Sequence, residues 1–199
     1  MVYAVTGERF HLTGPVRFGW AHSLHPAVSV YTTGTSMVPA KDQRHGDASE
    51  GAQQGTSWTS SLVPFAVFAM PAVVNATIAQ ETGLDQEDLE LLLEALWQGT
   101  AHRQGRGRGV QQPLFLLHIE YKDPFFRIGY LEEKICLEPG REEWLGGNPP
   151  TSLNDVKLDV TRLVECLGEY TQKISRVRYW IRPDLQLVGQ PPWEVQPLW

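Results

Sequence analysis

The residues between Asp85 and Gly99 carry the strongest periodic pattern in the sequence. Apolar side chains recur there at the spacing of one helix face: Leu89, Leu92, Leu93, Leu96 and Trp97. This i, i+3, i+4, i+7, i+8 spacing is typical of an amphipathic α-helix packed on a core. Asp85 is a suitable N-cap, with Asp88 three residues later, and Gly99 is a suitable stop. The pattern predicts a helix that needs an apolar surface to cover.

Strand-like segments on both sides of this helix supply that surface. Residues 113–121 are almost continuously apolar, which predicts a buried strand that we expect to be central in its sheet. Residues 174–181 alternate as a second strand, and residues 160–170 fit a second helix. Shorter strands are predicted at 13–18, 28–32, 62–70, 125–131 and 134–137, the first two of them paired with each other. Helices and strands in this order predict an α+β sandwich, with helices on one side of an antiparallel sheet.

Two segments stand apart from this predicted domain, which spans residues 1–182. Residues 33–61 are rich in Gly, Ser, Thr, Gln and Asp and are too long for an ordinary connection, so they are either functional or a disordered insertion. Residues 183–199 are too Pro-rich for regular structure and too aromatic for a plain linker. We expect this tail to dock on this subunit or on another one.

Charge is distributed unevenly along the chain. The net charge is −6, which by itself argues against binding to phosphates. However, residues 81–94 carry six acids and no base, which equals the whole excess, and we expect this acidic helix face to contact solvent rather than a dedicated partner. Residues 102–109 form a purely basic loop, so a local anion site is compatible with the acidic total.

Cysteine usage and hydropathy exclude several protein classes. Cys136 and Cys166 have no CxxC spacing, and buried free thiols are the simpler interpretation. No apolar run has membrane-spanning length, and residues 1–8 do not resemble a signal peptide. We therefore expect a cytoplasmic protein without membrane partners.

No catalytic or metal-binding constellation stands out. His22 and His25 are three residues apart without an intervening Glu, and Pro26 indicates a polar turn rather than a metal site. His118 lies in an apolar run, as a satisfied strand histidine would. Walker, dinucleotide and GxSxG motifs are missing from the sequence. We therefore predict no cofactor, no metal and no enzymatic activity.

Two segments combine features of nucleic-acid binding with simpler explanations. In residues 105–109, glycines alternate with Arg106 and Arg108, which lets the backbone approach phosphates, although a flexible loop without ligand has the same composition. Residues 33–61 carry apolar side chains that can wedge between bases and cations that can hold a backbone. These four residues are Met37, Val38, Lys41 and Arg44.

Four blocks, in order, carry a resemblance to a known family. They are Leu12-Thr13-Gly14-Pro15-Val16-Arg17-Phe18-Gly19-Trp20 with Ser23-Leu24, then Glu81-Thr82-Gly83-Leu84 with residues 87–100, then Arg106-Gly107-Arg108, and Phe126-Arg127-Ile128-Gly129. In combination they resemble the CRISPR-associated Cas-seven family of Csh-two type, the backbone subunit of the type I-B Cascade complex. The likeness runs from about residue 12 to 137, more loosely to 181, and excludes the tail.

This resemblance implies a modified ferredoxin-like palm, of the RNA-recognition-motif type, with an inserted thumb hairpin at about residues 33–61. Family members assemble as several copies along a CRISPR RNA (crRNA), hold its phosphates in the palm and use the thumb to displace bases, so that exposed guide segments pair with target DNA. Partners are then crRNA, target DNA through the guide, further copies and other Cascade subunits. The RNA-binding residues implied are Arg17, Met37, Val38, Lys41, Arg44, Arg103, Arg106 and Arg108.

The chain departs from the family at its start, because family members carry the first strand and helix of the palm before the matched segment. We therefore expect an N-terminally incomplete palm, in which another chain supplies that element, neighbouring subunits cover the gap, or RNA binding is impaired.

Two alternative functions are open to this sequence. One is a metal-dependent endoribonuclease that uses Asp42 and Asp47, and the other is a truncated subunit that only binds proteins.

Overall fold

The computed structural model describes residues 2–5, 8–27, 29–37, 55–103, 109–146 and 149–199. The chain divides into two compact units. The first combines Met1–Pro26 with Val67–Trp199, and the second is Ala27–Ala66. Helices and strands are mixed along the chain, as the predicted α+β class requires. No helix in the described ranges has the length and apolarity needed to cross a membrane.

The first unit holds four α-helices among its described residues: α1 Ala76–Thr82, α2 Gln86–His102, α3 Arg141–Leu145 and α4 Thr161–Glu169. Its strands up to the long helix are β1 Val2–Val5, β2 Glu8–His11, β3 Val16–Phe18, β4 His22–Ser23, β7 Phe68–Ala69 and β8 Ala72–Val74. Its later strands are β9 Phe115–Tyr121, β10 Cys136–Glu138, β11 Lys157–Asp159, β12 Ile174–Ile181, β13 Leu187–Val188 and β14 Glu194–Val195. The second unit contributes β5 Val30–Met37 and β6 Gly55–Leu62.

The helix predicted from Asp85 is α2. Asp85 is its N-cap and forms a capping box with Asp88, in which each side chain accepts a hydrogen bond from the backbone N–H of the other residue. Leu93 and Trp97 are buried on the predicted face and pack with Trp180. Gly99 does not stop the helix, which continues to His102, because a single glycine is tolerated inside a helix that tertiary packing holds.

The sheet beneath α2 has the strand order β14-β12-β9. β9 and β12 run antiparallel, with His118 opposite Arg178 and Leu116 opposite Trp180. The prediction that residues 113–121 form the central strand is wrong, since β12 is central and β9 is at the edge in the described sheet. Local apolarity could not predict this order. β12 is central because the tail strand β14 pairs with its other edge.

One acidic residue of α2, Glu90, forms an ion pair with a buried arginine instead of contacting only solvent. The guanidinium of Arg178, which is only 4 % exposed, donates two hydrogen bonds to the Glu90 carboxylate, at 3.0 and 2.8 Å. The same group donates to His118 Nδ1 at 3.1 Å and lies over the Trp180 ring. The expectation of a wholly solvated acidic face is therefore wrong at Glu90, which anchors α2 to β12.

A second apolar cluster accompanies α4. Val160 and Leu163 are fully buried and Leu167 is nearly so, which confirms the predicted helix face. The neighbouring sheet has the order β10-β11-β13, with Leu158 buried on its central strand. Only part of the prediction for residues 125–137 is right, because residues 125–130 form no strand and strand structure begins at Cys136.

The Pro-rich tail folds on the first unit. β13 pairs in parallel with β11, and β14 pairs in parallel with β12 through Glu194 and Val195. Trp199 stacks on Trp180, with ring centroids 5.0 Å apart and planes inclined by 15°. The expectation that the tail lacks regular structure is thus wrong. The prolines at 191 and 192 lie before β14 and not within it, so the residues of the strand keep the backbone N–H groups that pairing needs.

The early strands pair differently from the prediction. β3 pairs with β8, whereas β5 pairs with β6 in a ribbon that joins Val30 to Leu62 at one end and Met37 to Gly55 at the other. Residues 62–70 are not one buried strand either, because β6 ends at Leu62 and only Val67 is buried. The predicted pairing of residues 13–18 with residues 28–32 is therefore wrong. A pairing between strands that are far apart in the sequence leaves no local signal.

Candidate nucleic-acid interface

The β3–β8 ribbon positions Arg17 at an open cleft. Arg17 lies opposite Val73, and Phe18 opposite Ala72. The Gly19 N–H donates a hydrogen bond to the Pro71 carbonyl at 2.8 Å, which closes this end of the ribbon. The close approach needs glycine, because a Cβ at position 19 would lie 2.8 Å from Pro71 Cγ. The ribbon thereby holds Arg17 and Phe18 on a fixed backbone.

Arg127 reaches the same cleft from the loop after β9. Its two neighbours anchor this loop: Phe126 packs edge-on against Tyr121, with ring centroids 5.6 Å apart, and the Ile128 N–H donates to the Tyr121 hydroxyl at 3.3 Å. Burial raises the pKa of Tyr121, so this hydroxyl stays protonated and neutral. Arg127, between these anchors, is exposed. We refer to the cleft between it and Arg17 as the arginine cleft.

The arginine cleft has a volume of about 320 Å³ and combines cations with an apolar wall. Its side chains include Arg17, Arg127, Asn75, Phe18 and Val73. No carboxylate of the described residues forms an ion pair with either arginine. Two guanidinium groups without a protein counter-ion are suited to an anion such as a phosphate, which they contact through charge-assisted hydrogen bonds.

Asn75 contributes a donor to the cleft. Its side-chain oxygen accepts the Ile78 N–H at 3.1 Å and thereby caps α1. This bond orients the amide, so the nitrogen of the side chain is available to a ligand. The cleft therefore presents three polar donors beside an apolar wall.

The other predicted RNA-binding residues are not brought to this cleft. Arg103 is exposed at the C-terminal end of α2 and does not line it. Met37 ends β5 in the second unit, where its backbone pairs with Gly55. The remaining five predicted residues lie outside the described ranges: Val38, Lys41, Arg44, Arg106 and Arg108.

His25 and His118 have structural roles. His25 is 7 % exposed, its Nε2 accepts the Val67 N–H at 3.0 Å, and its ring stacks on Trp144 at 3.6 Å. His118 accepts from Arg178, as described above. Within the described parts of the chain, no group of three or more His, Cys, Asp or Glu side chains could hold a metal ion. Asp42 and Asp47, the alternative ribonuclease residues, lie outside those parts.

Arg127 is the site residue that sequence reasoning did not select, although its block was recognised. A usable signal was present, because Phe126 and Ile128 are apolar on both sides of a cation in a predicted short strand. Such alternation indicates that the two apolar side chains point inward and the arginine outward. Its proximity to Arg17, by contrast, depends on the fold.

Comparison with known proteins adds to this geometry. A family model described as CRISPR-associated protein Cas7 matches residues 1–161. The chain belongs to the Cas7 family. A relative from Haloferax volcanii, named CRISPR-associated protein Cas7, is 27 % identical over 166 residues, which cover 81 % of this chain and 45 % of the relative. The sequence-based resemblance to the family is thus confirmed.

A solved structure shares the fold. One chain of a CRISPR RNA-guided surveillance complex, described as pre-nicking, superposes with a TM-score of 0.54 and 14 % identity. The superposition covers 98 % of this chain and 50 % of that chain. This Cas7-family chain therefore spans about half the length of the relatives it matches.

Proposed function

We propose that this chain is a crRNA-binding backbone subunit of a CRISPR Cascade effector of type I-B, acting in the cytoplasm. The observation that carries this proposal is the match of the Cas7 family model to residues 1–161. The likeness in fold to a chain of an RNA-guided surveillance complex supports it. In this role several copies oligomerise along the guide with other Cascade subunits and present the guide for pairing with target DNA.

The two compact units suggest how the work is divided. We assign residues 1–182 to a ferredoxin-like palm, in which the arginine cleft holds guide phosphates, and the ribbon of β5 and β6 to a thumb that displaces bases. The antiparallel pairing of β5 with β6 supports this assignment, because it gives the inserted segment the two-stranded form of a hairpin. We further assign phosphate contacts to Arg103, at the C-terminal end of α2, and to Arg106 and Arg108, which follow it in the sequence.

We propose a binding role without catalysis. Phosphate contacts and base contacts then provide the free energy, so affinity falls steeply with salt and depends little on base sequence. Binding phosphates in one position requires donors that are themselves fixed. The Gly19–Pro71 hydrogen bond fixes the backbone beside Arg17, and the Phe126 and Ile128 contacts fix the backbone beside Arg127.

A salt titration of binding to a labelled crRNA tests this function. We compare the wild type with Arg17→Ala/Arg127→Ala and with Arg106→Ala/Arg108→Ala, and use Arg162→Ala on α4, which removes one positive charge outside the cleft, as a control. For single-stranded RNA the slope of log affinity against log salt should become shallower by about 1.4 when two phosphate contacts are lost. Arg162→Ala should leave it close to the wild-type slope.

Two results would count against the proposal. One is the absence of salt-sensitive binding to crRNA at low salt by the folded wild-type chain, which would leave a protein-binding role. The other is cleavage of RNA that EDTA abolishes, since this would indicate the alternative ribonuclease. Sedimentation with a long crRNA, in which several chains should bind one RNA, tests the oligomerisation separately.

A further inference from the structure

The loop beside the arginine cleft exposes two large aromatic rings. Phe125 is 88 % exposed and Tyr130 is 72 % exposed, on either side of Arg127. We call residues 123–130 the stacking loop. Among the described residues, neither ring of this pair has an aromatic or cationic neighbour within stacking range. Two exposed rings of this size on one short loop provide apolar surface that a ligand or partner can cover.

The backbone of the stacking loop is ordered by its own contacts. The Asp123 side chain accepts the Phe125 N–H at 2.9 Å, and the Asp123 carbonyl accepts the Phe126 N–H at 3.1 Å. Phe126 packs against Tyr121 and Tyr170 and lies 5.6 Å from the Lys173 ammonium group. The exposed rings are therefore held on a fixed backbone, which lowers the conformational entropy that a ligand must remove on binding.

Tyr130 also has an unusual backbone conformation. Its φ is 56°, and no other non-glycine residue in the described ranges has a positive φ. A bulky residue in the left-handed region costs free energy that surrounding contacts or function must offset. Glycine would adopt this conformation without the cost, so an aromatic side chain at this position is consistent with a use for its ring.

We propose that the stacking loop is a base-stacking platform for single-stranded RNA, in which Phe125 and Tyr130 cover unpaired bases of a strand whose phosphate is held between Arg17 and Arg127. The inference rests on the proposed function and specifies which part of the RNA this surface contacts. Aromatic rings beside cations are the common arrangement in proteins that bind single strands without sequence preference. A duplex hides the faces of its bases, so the platform selects unpaired RNA.

Charge favours RNA over a protein partner for this surface. Arg127 lies between the two rings in sequence and lines the same cleft as Arg17, and neither arginine is neutralised by a described carboxylate. An apolar protein partner would have to bury these guanidinium groups without compensation, which is costly. A phosphodiester compensates them while its bases cover the rings.

The test compares RNA with bases and RNA without bases. The full chain is titrated with a short fluorescein-labelled single-stranded RNA of mixed sequence, with an abasic oligomer of the same length, and with the same RNA annealed to its complement. Phe125→Leu and Tyr130→Leu remove the rings, whereas Phe125→Tyr and Tyr130→Phe retain them. Leu145→Ala removes an exposed apolar side chain elsewhere, and thermal midpoints confirm that each variant is folded.

Each leucine variant should bind the mixed-sequence RNA about tenfold more weakly, within the range known for one stacked base. The ring-retaining variants and Leu145→Ala should match the wild type. Binding of the abasic oligomer should not respond to the leucine variants but should weaken in Arg17→Ala/Arg127→Ala. Duplex RNA should bind more weakly than the single strand.

Other outcomes separate the two proposals. Unchanged RNA affinity in folded Phe125→Leu and Tyr130→Leu, while the arginine variants still lose affinity, overturns the platform and leaves the proposed function intact. Equal losses for mixed-sequence and abasic RNA would also overturn it, because the rings would then act through the backbone contacts. Absence of binding by the wild type to every oligomer contradicts the proposed function itself.

Discussion

Arg178 and His118 illustrate how single residues link the long helix to the sheet. Arg178 is buried and pairs with Glu90 of α2, while its Nη2 donates to His118 Nδ1. Its Nε has no hydrogen-bond partner among the described residues, so the Glu90 carboxylate supplies the main compensation for a buried charge. The arginine bond lowers the pKa of Glu90. Burial, followed by the nearby charge of Arg178, lowers the pKa of His118.

We expect stability to fall in mild acid because of His118. Its pKa in the folded chain is below the ordinary 6.5, so below that pH the unfolded chain takes up a proton more readily than the folded chain. The nearby Glu120 and Glu90 oppose this shift and Arg176 reinforces it, but burial is the largest cause. The free energy of unfolding should therefore decrease as the pH falls below about 6.5, the unperturbed value.

Chemical denaturation across this pH range checks the expectation. His118→Asn keeps an acceptor for Arg178 but does not titrate, so its stability should vary less with pH between neutral and mildly acidic solution. His22→Gln, at an exposed position, is the matched control for the removal of a histidine. A His118→Asn profile identical to the wild type would contradict this role.

Gly19 should not accept a side chain. The Cβ of Gly19→Ala would approach Pro71 Cγ to 2.8 Å, and the proline ring cannot rotate away. We expect a loss of about 1–3 kcal/mol in the free energy of unfolding, as for other overpacked sites. Gly14→Ala is a suitable control, because a Cβ there meets nothing within 4 Å. Equal stability of both variants in urea denaturation would show that the ribbon is not closely packed at Pro71.

At the scale of elements, the sequence was most informative where a pattern is local. Helices α2 and α4 and strand β12 were predicted because their apolar periodicity and caps lie within a few residues. Strand pairing was not predictable in the same way. β3 joins β8 across more than fifty intervening residues, and the edge position of β9 depends on the tail strand β14.

The tail should contribute measurably to the stability of this sheet. Trp199 stacks on Trp180, and Arg176 forms an ion pair with Glu194 at 2.8 Å, although this pair is exposed and contributes little. Trp199→Ala should cost about 1–2 kcal/mol through lost stacking and apolar contact. In a chain of this size, the midpoint of thermal unfolding should fall by about 2–8 °C.

A matched substitution separates the stack from general surface effects. Trp20→Ala removes a tryptophan that is 86 % exposed and should leave the midpoint nearly unchanged. If Trp199→Ala also leaves the midpoint unchanged, the tail does not stabilise the sheet.

At the scale of the whole molecule, the second unit is inserted in the chain between two points of the first unit that lie close together. The Leu24 N–H donates to the Val67 carbonyl at 2.9 Å, and the Val67 N–H donates to His25 at 3.0 Å. Residues on either side of Ala27–Ala66 therefore lie next to one another in the first unit. Insertions at such points are tolerated because few contacts depend on the inserted chain.

Replacing residues 27–66 with a short Gly/Ser linker should therefore leave the first unit folded. We expect a cooperative thermal transition and retention of near-ultraviolet circular dichroism from the buried tryptophans. Under the proposed function, the shortened chain keeps salt-sensitive RNA binding through the arginine cleft and loses displacement of bases by the thumb, which 2-aminopurine fluorescence in the RNA reports. A shortened chain that fails to fold would show that the two units are not separable.

The sequence by itself determined the α+β class, the two main helices with their buried faces, the strands β9 and β12, and membership of the Cas7 family. These properties depend on local periodicity and on blocks of residues in a fixed order. Only the tertiary structure decided that Arg127 and Arg17 line one cleft, that Glu90 pairs with Arg178, and that the tail completes a sheet. Each of these contacts joins residues far apart in the chain, and their proximity follows from the packing of whole elements, which no local pattern records.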